Sequence, residues 1–144
     1  MKCALKDLKT LSYKISKKVK IGQTIYLKGD LGTGKTTLSK FIISEIFKKN
    51  KKKSPQVTSP TFNIVQYYPV KNKLIIAHYD LYRLKSKLDL ENIGLFELED
   101  KVINIIEWPE LIKKKNINRI EISLKHTKLK KERDIKIKYF GKTK

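Results

Sequence analysis

The sequence has very little cysteine and no long apolar segment. Cys3 is the only cysteine among the 144 residues, which excludes a disulfide framework and a metal site built from cysteines. No apolar run approaches the length that a membrane span needs. The opening residues, MKCALKDLKTL, carry charges every few positions, unlike the apolar core of a signal peptide. These absences predict a cytoplasmic protein without a membrane partner.

Arginine is scarce as well, although the chain is strongly basic. The net charge is +20, yet only three of the 34 basic residues are arginine: Arg83, Arg119 and Arg133. Specific recognition of phosphates and bases favours the bidentate arginine fork. The excess of lysine therefore indicates codon drift in an A+T-rich genome more than selection for binding to nucleic acid. A surface of this charge attracts RNA in any case, so a basic RNA-binding protein is one alternative.

The hydrophobic pattern alternates between helical and strand periodicity along the chain. Strands are expected in six segments: 24–28, 62–68, 74–80, 102–106, 119–125 and 134–140. The second and third of these strands, and the last two, are expected to form antiparallel hairpins. Helical segments are expected over 7–19 with Asp7 as the N-cap, over 35–48, in short turns within 84–101, and from Pro109. The pattern predicts a single α/β domain over 1–144, with a mixed parallel and antiparallel β-sheet flanked by helices.

The clearest chemical motif follows the first strand. Residues 29–36 read GDLGTGKT, the Gly-x4-Gly-Lys-Thr pattern of a P-loop, or Walker A motif. Its glycines let backbone N–H groups approach phosphate oxygens, and the next helix adds its N-terminal dipole. Lys35 can reach the β- and γ-phosphates of ATP, and the Thr36 hydroxyl can ligate Mg²⁺. The predicted nucleotide-binding residues are Gly29, Asp30, Leu31, Gly32, Thr33, Gly34, Lys35, Thr36 and Thr37.

Two predicted strands end in a carboxylate. Asp80 ends the segment LIIAHYD, and Glu107 follows VINII. The carboxyl ends of parallel strands lie beside the phosphates in folds of this class, so both side chains are expected to converge on Thr36. Glu107 can ligate the metal or orient the attacking water. We therefore predict Lys35, Asp80 and Glu107 as catalytic residues, and Thr36 and Glu107 as metal ligands.

The segment 57–62, VTSPTF, lies between the P-loop helix and the first hairpin. Pro60 biases Ser59 towards an extended conformation. Small hydroxyl residues on a stiff loop resemble a switch segment, in which Thr61 would sense the γ-phosphate and the metal. A simple turn is an equally good interpretation of these residues.

Two further side chains are ambiguous in the sequence. His78 lies on the same strand face as Asp80 and is interpreted as structural. Trp108, the only tryptophan, can belong to the core, border the nucleotide or contact a partner.

Five motifs in order resemble the bacterial TsaE family, over about residues 5–140. They are GDLGTGKTTL (29–38), SPTF (59–62), HYDLYRL (78–84), IGLFE (93–97) and IIEWPE (105–110). The resemblance implies that Lys35 and Thr36 are the P-loop lysine and metal-binding threonine, and that Asp80 is similar to a Walker B acid. It also implies that Glu107 takes part in metal binding and hydrolysis. Tyr79 and Ile93 stand where phenylalanine and leucine are usual, which leaves every motif intact.

The resemblance further implies a function in tRNA modification, the formation of threonylcarbamoyladenosine (t6A) at position 37 of tRNAs that read ANN codons. A member of this family is an ATP-binding protein with weak ATPase activity that associates with the TsaD–TsaB pair, in which TsaD is the transferase. Hydrolysis would reset or regulate that assembly. Contact with tRNA would then be indirect or through the complex.

Two enzyme classes built on the same loop are alternatives. A nucleotide or nucleoside kinase clamps the transferring phosphoryl group with several arginines, whereas only Arg83 lies near a motif here. A GTPase recognises guanine with an N-K-x-D motif, and the Asn-Lys pairs at 50–51 and 72–73 both lack the aspartate. The motifs therefore favour a P-loop ATPase.

Overall fold

One seven-stranded β-sheet runs through the structure, a computed structural model that describes residues 1–144. The strands are β1 Lys2–Ala4, β2 Thr24–Lys28, β3 Val65–Lys71, β4 Leu74–Asp80, β5 Ile103–Glu107, β6 Arg119–His126 and β7 Glu132–Phe140. Their order across the sheet is β1-β7-β6-β2-β5-β4-β3. The central strands β6, β2, β5 and β4 are parallel, and the outer strands pair antiparallel. The predicted α/β fold with a mixed sheet is confirmed.

Helices cover both faces of this sheet. They are α1 Leu8–Ser16, α2 Lys35–Lys49, α3 Lys87–Asn92 and α4 Leu95–Leu98, with 3₁₀ turns at Leu5–Asp7, Pro109–Leu111 and Gly141–Thr143. The helices α1 and α2 contribute to the larger apolar core on one face, and α3 and α4 to the smaller core on the other. None of these helices combines the length and the apolar character that crossing a membrane requires.

The position of α2 is fixed by its buried stripe. Leu38, Ile42 and Ile46 recur every four residues, as one face of a helix requires, and are at most 2% exposed. Burying each side chain contributes about 1.5–3 kcal/mol to stability. They share a core with Ile25 of β2. Because β2 enters the segment 29–34 and α2 leaves it, both ends of that segment are anchored in the core.

The parallel strands bring their carboxyl ends to one edge of the sheet. Leu27 of β2 pairs with Glu107 of β5, and Glu107 pairs with Asp80 of β4. Lys28, the last residue of β2, pairs with Ser123 of β6. The P-loop that follows Lys28 therefore begins at the edge of the sheet where both strand-end carboxylates lie, with Glu107 on the neighbouring strand and Asp80 one strand further away.

Two predicted segments have the wrong bounds, and Asp7 lies at the predicted N-cap position without the expected capping hydrogen bond. The strand expected over 62–68 begins only at Val65, because the Ile64 N–H donates to Pro60 O at 2.6 Å and closes a turn. The helix expected over 7–19 spans only Leu8–Ser16. Asp7 forms no capping hydrogen bond, because it ends a 3₁₀ turn at φ −89 and ψ 0 instead of taking the extended conformation of an N-cap.

Two other short elements depart from the sequence prediction. The helix expected from Pro109 is a single 3₁₀ turn, because Ile112 returns to extended geometry. The strand β1 was not predicted, since three residues show no period. It pairs with β7 at the edge of the sheet.

Candidate functional site

The backbone path of the P-loop depends on glycine. A Cβ at Gly29 would collide with the carbonyl oxygen of Leu124 and lie 2.8 Å from Thr33 Oγ1. Gly34, directly before α2, has φ 105, in the region that strains residues with a side chain. The chain can turn from β2 into α2 along this path only with glycine at both positions.

Several backbone N–H groups of this loop have no acceptor within the protein. They include those of Gly32, Gly34, Lys35, Thr36 and Thr37. The last three begin α2, where the helix dipole adds positive potential. A set of unpaired backbone donors at a helix N-terminus is suited to bind a phosphate group.

The side chain of Lys35 folds back over the loop. It is 5% exposed, and its Nζ donates to Gly29 O at 2.5 Å and to Asp30 O at 2.9 Å. Burial lowers the pKa of Lys35 below its ordinary value, and the nearby charges of Glu107 and Asp80 oppose that shift. The carboxylates therefore help to hold a cation at this position.

Glu107 lies directly beneath the first turn of α2. It is 1% exposed, and its Oε1 accepts a hydrogen bond of 2.7 Å from Thr36 Oγ1. Its Oε2 lies 2.6 Å from His78 Nε2 and 3.4 Å from Ser39 Oγ. The buried carboxylate is thus held at both oxygens, with one of them directed at the threonine hydroxyl.

The donor atoms at this point suit magnesium. Mg²⁺ prefers hard oxygen ligands and usually takes only one or two from the protein, with water and substrate phosphates completing the octahedron. The Thr36 hydroxyl and the Glu107 carboxylate, 2.7 Å apart, are such a pair. The structure contains no cluster of three or more His, Cys, Asp and Glu side chains able to hold a metal. The pair therefore fits Mg²⁺ bound together with a phosphate, and not a cage built by the protein alone.

Asp80 connects the segment 57–62 to the same edge. Its Oδ2 accepts from Thr61 Oγ1 at 3.0 Å, and its Oδ1 accepts from the Tyr82 N–H at 3.0 Å. Ser59 Oγ lies 2.7 Å from Thr61 Oγ1. The structure therefore links two hydroxyl residues of the switch-like segment, Ser59 and Thr61, to Asp80, which pairs with Glu107 on the neighbouring strand.

Trp108 borders the phosphate loop. Its backbone is left-handed, with φ 58 and ψ 60, a conformation that costs a non-glycine residue about 1–3 kcal/mol. This turn places the indole ring 4.1 Å from Lys35 Nζ and 4.7 Å from the ring of Tyr82. The sequence left three roles open for Trp108. In the structure its ring is half-buried and lies beside the P-loop lysine.

His78 is the residue that sequence reasoning undervalued. The imidazole is fully buried, and its contact is Glu107 itself. Predicting the contact between His78 and Glu107 requires the register of β4 and β5, in which His78 pairs with Ile105, two residues before Glu107. Side chains two apart share a strand face, so correct pairing of β4 and β5 would have predicted the contact.

Replacing His78 with leucine is expected to lower the free energy of unfolding by about 2–3 kcal/mol, because a buried carboxylate oxygen loses its closest partner. His78→Gln, which keeps an N–H donor, should lose less. The double variant with Glu107→Leu should recover part of the loss, since removing both partners costs less than removing one. Urea unfolding of the four proteins measures these differences. Equal stability of His78→Leu and the parent would contradict the importance of this pair.

Comparisons with known proteins place this chain among proteins of one family. The family model described as "Threonylcarbamoyl adenosine biosynthesis protein TsaE" matches residues 4–135. A tRNA threonylcarbamoyladenosine biosynthesis protein TsaE from Rickettsia felis is 38% identical over 107 residues, which are 74% of this chain and 60% of that protein. The protein of the same name from Haemophilus influenzae is 39% identical over 87 residues, 60% of this chain and 51% of that protein.

A solved structure resembles the whole fold. The crystal structure of YdiB from Bacillus subtilis superposes with a TM-score of 0.70 at 26% identity, over 98% of this chain and 86% of that chain. The chain spans about 60% of the length of the relatives from Rickettsia felis and Rickettsia conorii. The family match extends from β1 into β7 and includes the P-loop, the switch-like segment and both strand-end carboxylates. This chain therefore belongs to the TsaE family of threonylcarbamoyl adenosine biosynthesis proteins.

Proposed function

We propose that residues 1–144 form one P-loop ATPase domain, which binds ATP with Mg²⁺ at residues 29–37 and hydrolyses it slowly. We further propose that it serves t6A formation in the cytoplasm together with a TsaD–TsaB pair. The observation that carries the proposal is the hydrogen bond between Thr36 Oγ1 and Glu107 Oε1, 2.7 Å long, below a loop with free N–H donors. A phosphate-binding turn without catalysis would not need a buried carboxylate at the threonine.

Binding of ATP requires an exchange of partners at Lys35. The ammonium group must leave Gly29 O and Asp30 O to reach the β- and γ-phosphates. The free backbone N–H groups of Gly32 and of residues 34–37 can then donate to the phosphate oxygens. Since Lys35 already lies at the loop, the movement is small, but it shifts the ammonium relative to the Trp108 ring, which is 4.1 Å away.

Glu107 is placed to act on the attacking water. Its carboxylate is held at Thr36 and His78, so it can accept a hydrogen bond from a water molecule without first reorganising. When bound, Mg²⁺ neutralises charge that develops on the phosphate oxygens. The protein itself orients the reacting groups: the loop holds the phosphates in place, and Glu107 sets the direction from which the water attacks.

Slow turnover is expected because each of the three arginines already contacts another group of the protein. Arg83 lies 5.6 Å from the ring of Phe62, Arg119 donates to Glu121, and Arg133 donates to backbone carbonyls. An arginine directed at the transferring phosphoryl group contributes about 10³–10⁵ in rate. Without one, the protein depends on a partner for faster hydrolysis.

The face around Trp108 is the proposed contact for that partner. Phe62, in the switch-like segment, and Tyr82, whose ring lies 4.7 Å from that of Trp108, are 84% and 58% exposed. Exposed aromatic side chains are common anchors of protein interfaces. Ile64, two residues after the segment, is left-handed with φ 69, a strained state for a β-branched residue. Loss or gain of the γ-phosphate can therefore change the conformation of this face.

We expect purified protein to bind ATP in preference to GTP, to hydrolyse it slowly with Mg²⁺, and to bind a TsaD–TsaB pair more tightly with ATP than with ADP. Trp108→Ala should weaken that association, whereas Tyr13→Ala, an exposed aromatic on α1, should not. Calorimetry and pull-down with each nucleotide test this. Equal partner affinity in all combinations would reject the docking face. Preference for GTP, phosphoryl transfer to a nucleoside, or tight nucleotide-independent tRNA binding would favour a GTPase, a kinase or an RNA-binding protein.

A further inference from the structure

The outer side of the P-loop rests on the end of the β6–β7 hairpin. His126, the last residue of β6, pairs directly across the strands with Arg133 of β7. These two side chains meet three consecutive carbonyl oxygens of the loop. Arg133 Nε donates to Thr33 O at 3.1 Å and Nη2 to Gly32 O at 3.2 Å. His126 Nε2 lies 3.1 Å from Leu31 O.

These contacts decide where the loop N–H groups point. In a planar trans peptide, the C=O of one residue and the N–H of the next point in opposite directions. Holding the carbonyls of Gly32 and Thr33 against the hairpin therefore turns the N–H groups of Thr33 and Gly34 away from it. The Thr33 N–H donates to Asp30 O at 3.2 Å, whereas the Gly34 N–H has no acceptor within the protein and is free to bind a phosphate oxygen.

Arg133 is an unusual buried cation. It is 8% exposed and donates to four carbonyl oxygens, the other two being those of Lys130 and Glu132. None of the salt bridges in the structure includes it. Burying a charge is costly unless an opposite charge compensates it, and here no carboxylate does so. The anion-binding loop directly above it is the place where a compensating negative charge would bind.

We propose that Arg133, assisted by His126, is a positioning residue for phosphate binding: it holds the P-loop carbonyls outward and supplies a buried positive charge beneath the loop. This inference rests on the proposed function, because it takes a phosphate group as the ligand of residues 29–37. The guanidinium does not touch the phosphate. It acts through the loop backbone and through its charge.

The test compares Arg133→Gln, Arg133→Lys and the control Arg119→Gln, a variant of a β6 arginine that binds Glu121 and Asn116 O, away from the loop. Calorimetry gives Kd for Mg-ATP and for pyrophosphate, which lacks the base and the ribose. We expect Arg133→Gln to raise both Kd values about tenfold, as loss of charge-assisted hydrogen bonds and of a nearby charge would do. Arg133→Lys, which keeps the charge but loses the fork, should raise them about threefold. Arg119→Gln should stay within about twofold of the parent.

Thermal unfolding and steady-state kinetics separate positioning from simple support of the hairpin. A positioning role raises KM for ATP and leaves kcat at saturating ATP within about twofold of the parent. If Arg133→Gln melts at a lower temperature yet binds pyrophosphate like the parent, the inference is overturned. If that variant does not fold, parental affinity in Arg133→Lys, together with an unchanged KM, overturns it equally. Failure of the parent to bind ATP and pyrophosphate would instead reject the proposed function and this inference with it.

Discussion

Replacing Glu107 with glutamine is expected to lower kcat for ATP hydrolysis by about 10²-fold or more, while Kd for ATP changes by less than about tenfold. The substitution keeps the size of the side chain and an oxygen that can accept from Thr36. It removes the negative charge that would hold and polarise the attacking water. Because that interaction strengthens in the transition state, its loss reduces turnover more than binding.

Single-turnover hydrolysis and calorimetry with Mg-ATP measure the two effects separately. The matched control is Glu110→Gln, an exposed glutamate of the next 3₁₀ turn, which should behave like the parent. A variant Glu107→Gln that hydrolyses ATP at the parental rate would show that the buried carboxylate has only a structural role. If instead binding and kcat fall together, the carboxylate acts mainly on the bound nucleotide.

The sequence was informative wherever chemistry and secondary structure coincided. The P-loop follows the β2 strand at Gly29, and Asp80 and Glu107 each end a strand. Since parallel strands share one edge for their carboxyl ends, the sequence pattern alone was enough to predict that these residues lie together. The hydrogen bond between Thr36 and Glu107, 71 positions apart, is the direct result of that arrangement.

The sequence was silent wherever a contact depends on register or on an irregular backbone. His78 reaches Glu107 only because β4 and β5 pair as they do. Arg133 reaches Thr33 across 100 positions, at the end of a hairpin whose exact length no pattern specifies. Ile64 has the β-branched side chain of a strand residue, and the prediction of a strand there was wrong because a turn overrides that propensity. The left-handed backbone at Trp108 could not be predicted either, because it is an irregular conformation that no sequence pattern marks.

Replacing Lys35 with alanine is expected to weaken ATP binding by about 10²-fold. Two charge-assisted hydrogen bonds to phosphate are worth about 1.5–3 kcal/mol each, but Lys35 must first give up its bonds to Gly29 O and Asp30 O. The net loss should therefore be near the lower end of the sum, about 3 kcal/mol, which corresponds to about 10²-fold in Kd. Calorimetry measures it, with Lys40→Ala as a control at an exposed position of the same helix.

The single tryptophan gives an independent measurement of the same event. Lys35 Nζ lies 4.1 Å from the centre of the Trp108 ring, so movement of the ammonium towards a phosphate should change the fluorescence of Trp108. The change should follow ATP concentration in the parent and in Lys40→Ala, and it should be absent from Lys35→Ala at concentrations that saturate the parent. If Lys35→Ala binds ATP with a Kd within about threefold of the parent and shows the same fluorescence change, the ammonium is not a phosphate ligand. The free backbone N–H groups of Gly32 and of residues 34–37 would then bind the phosphates alone.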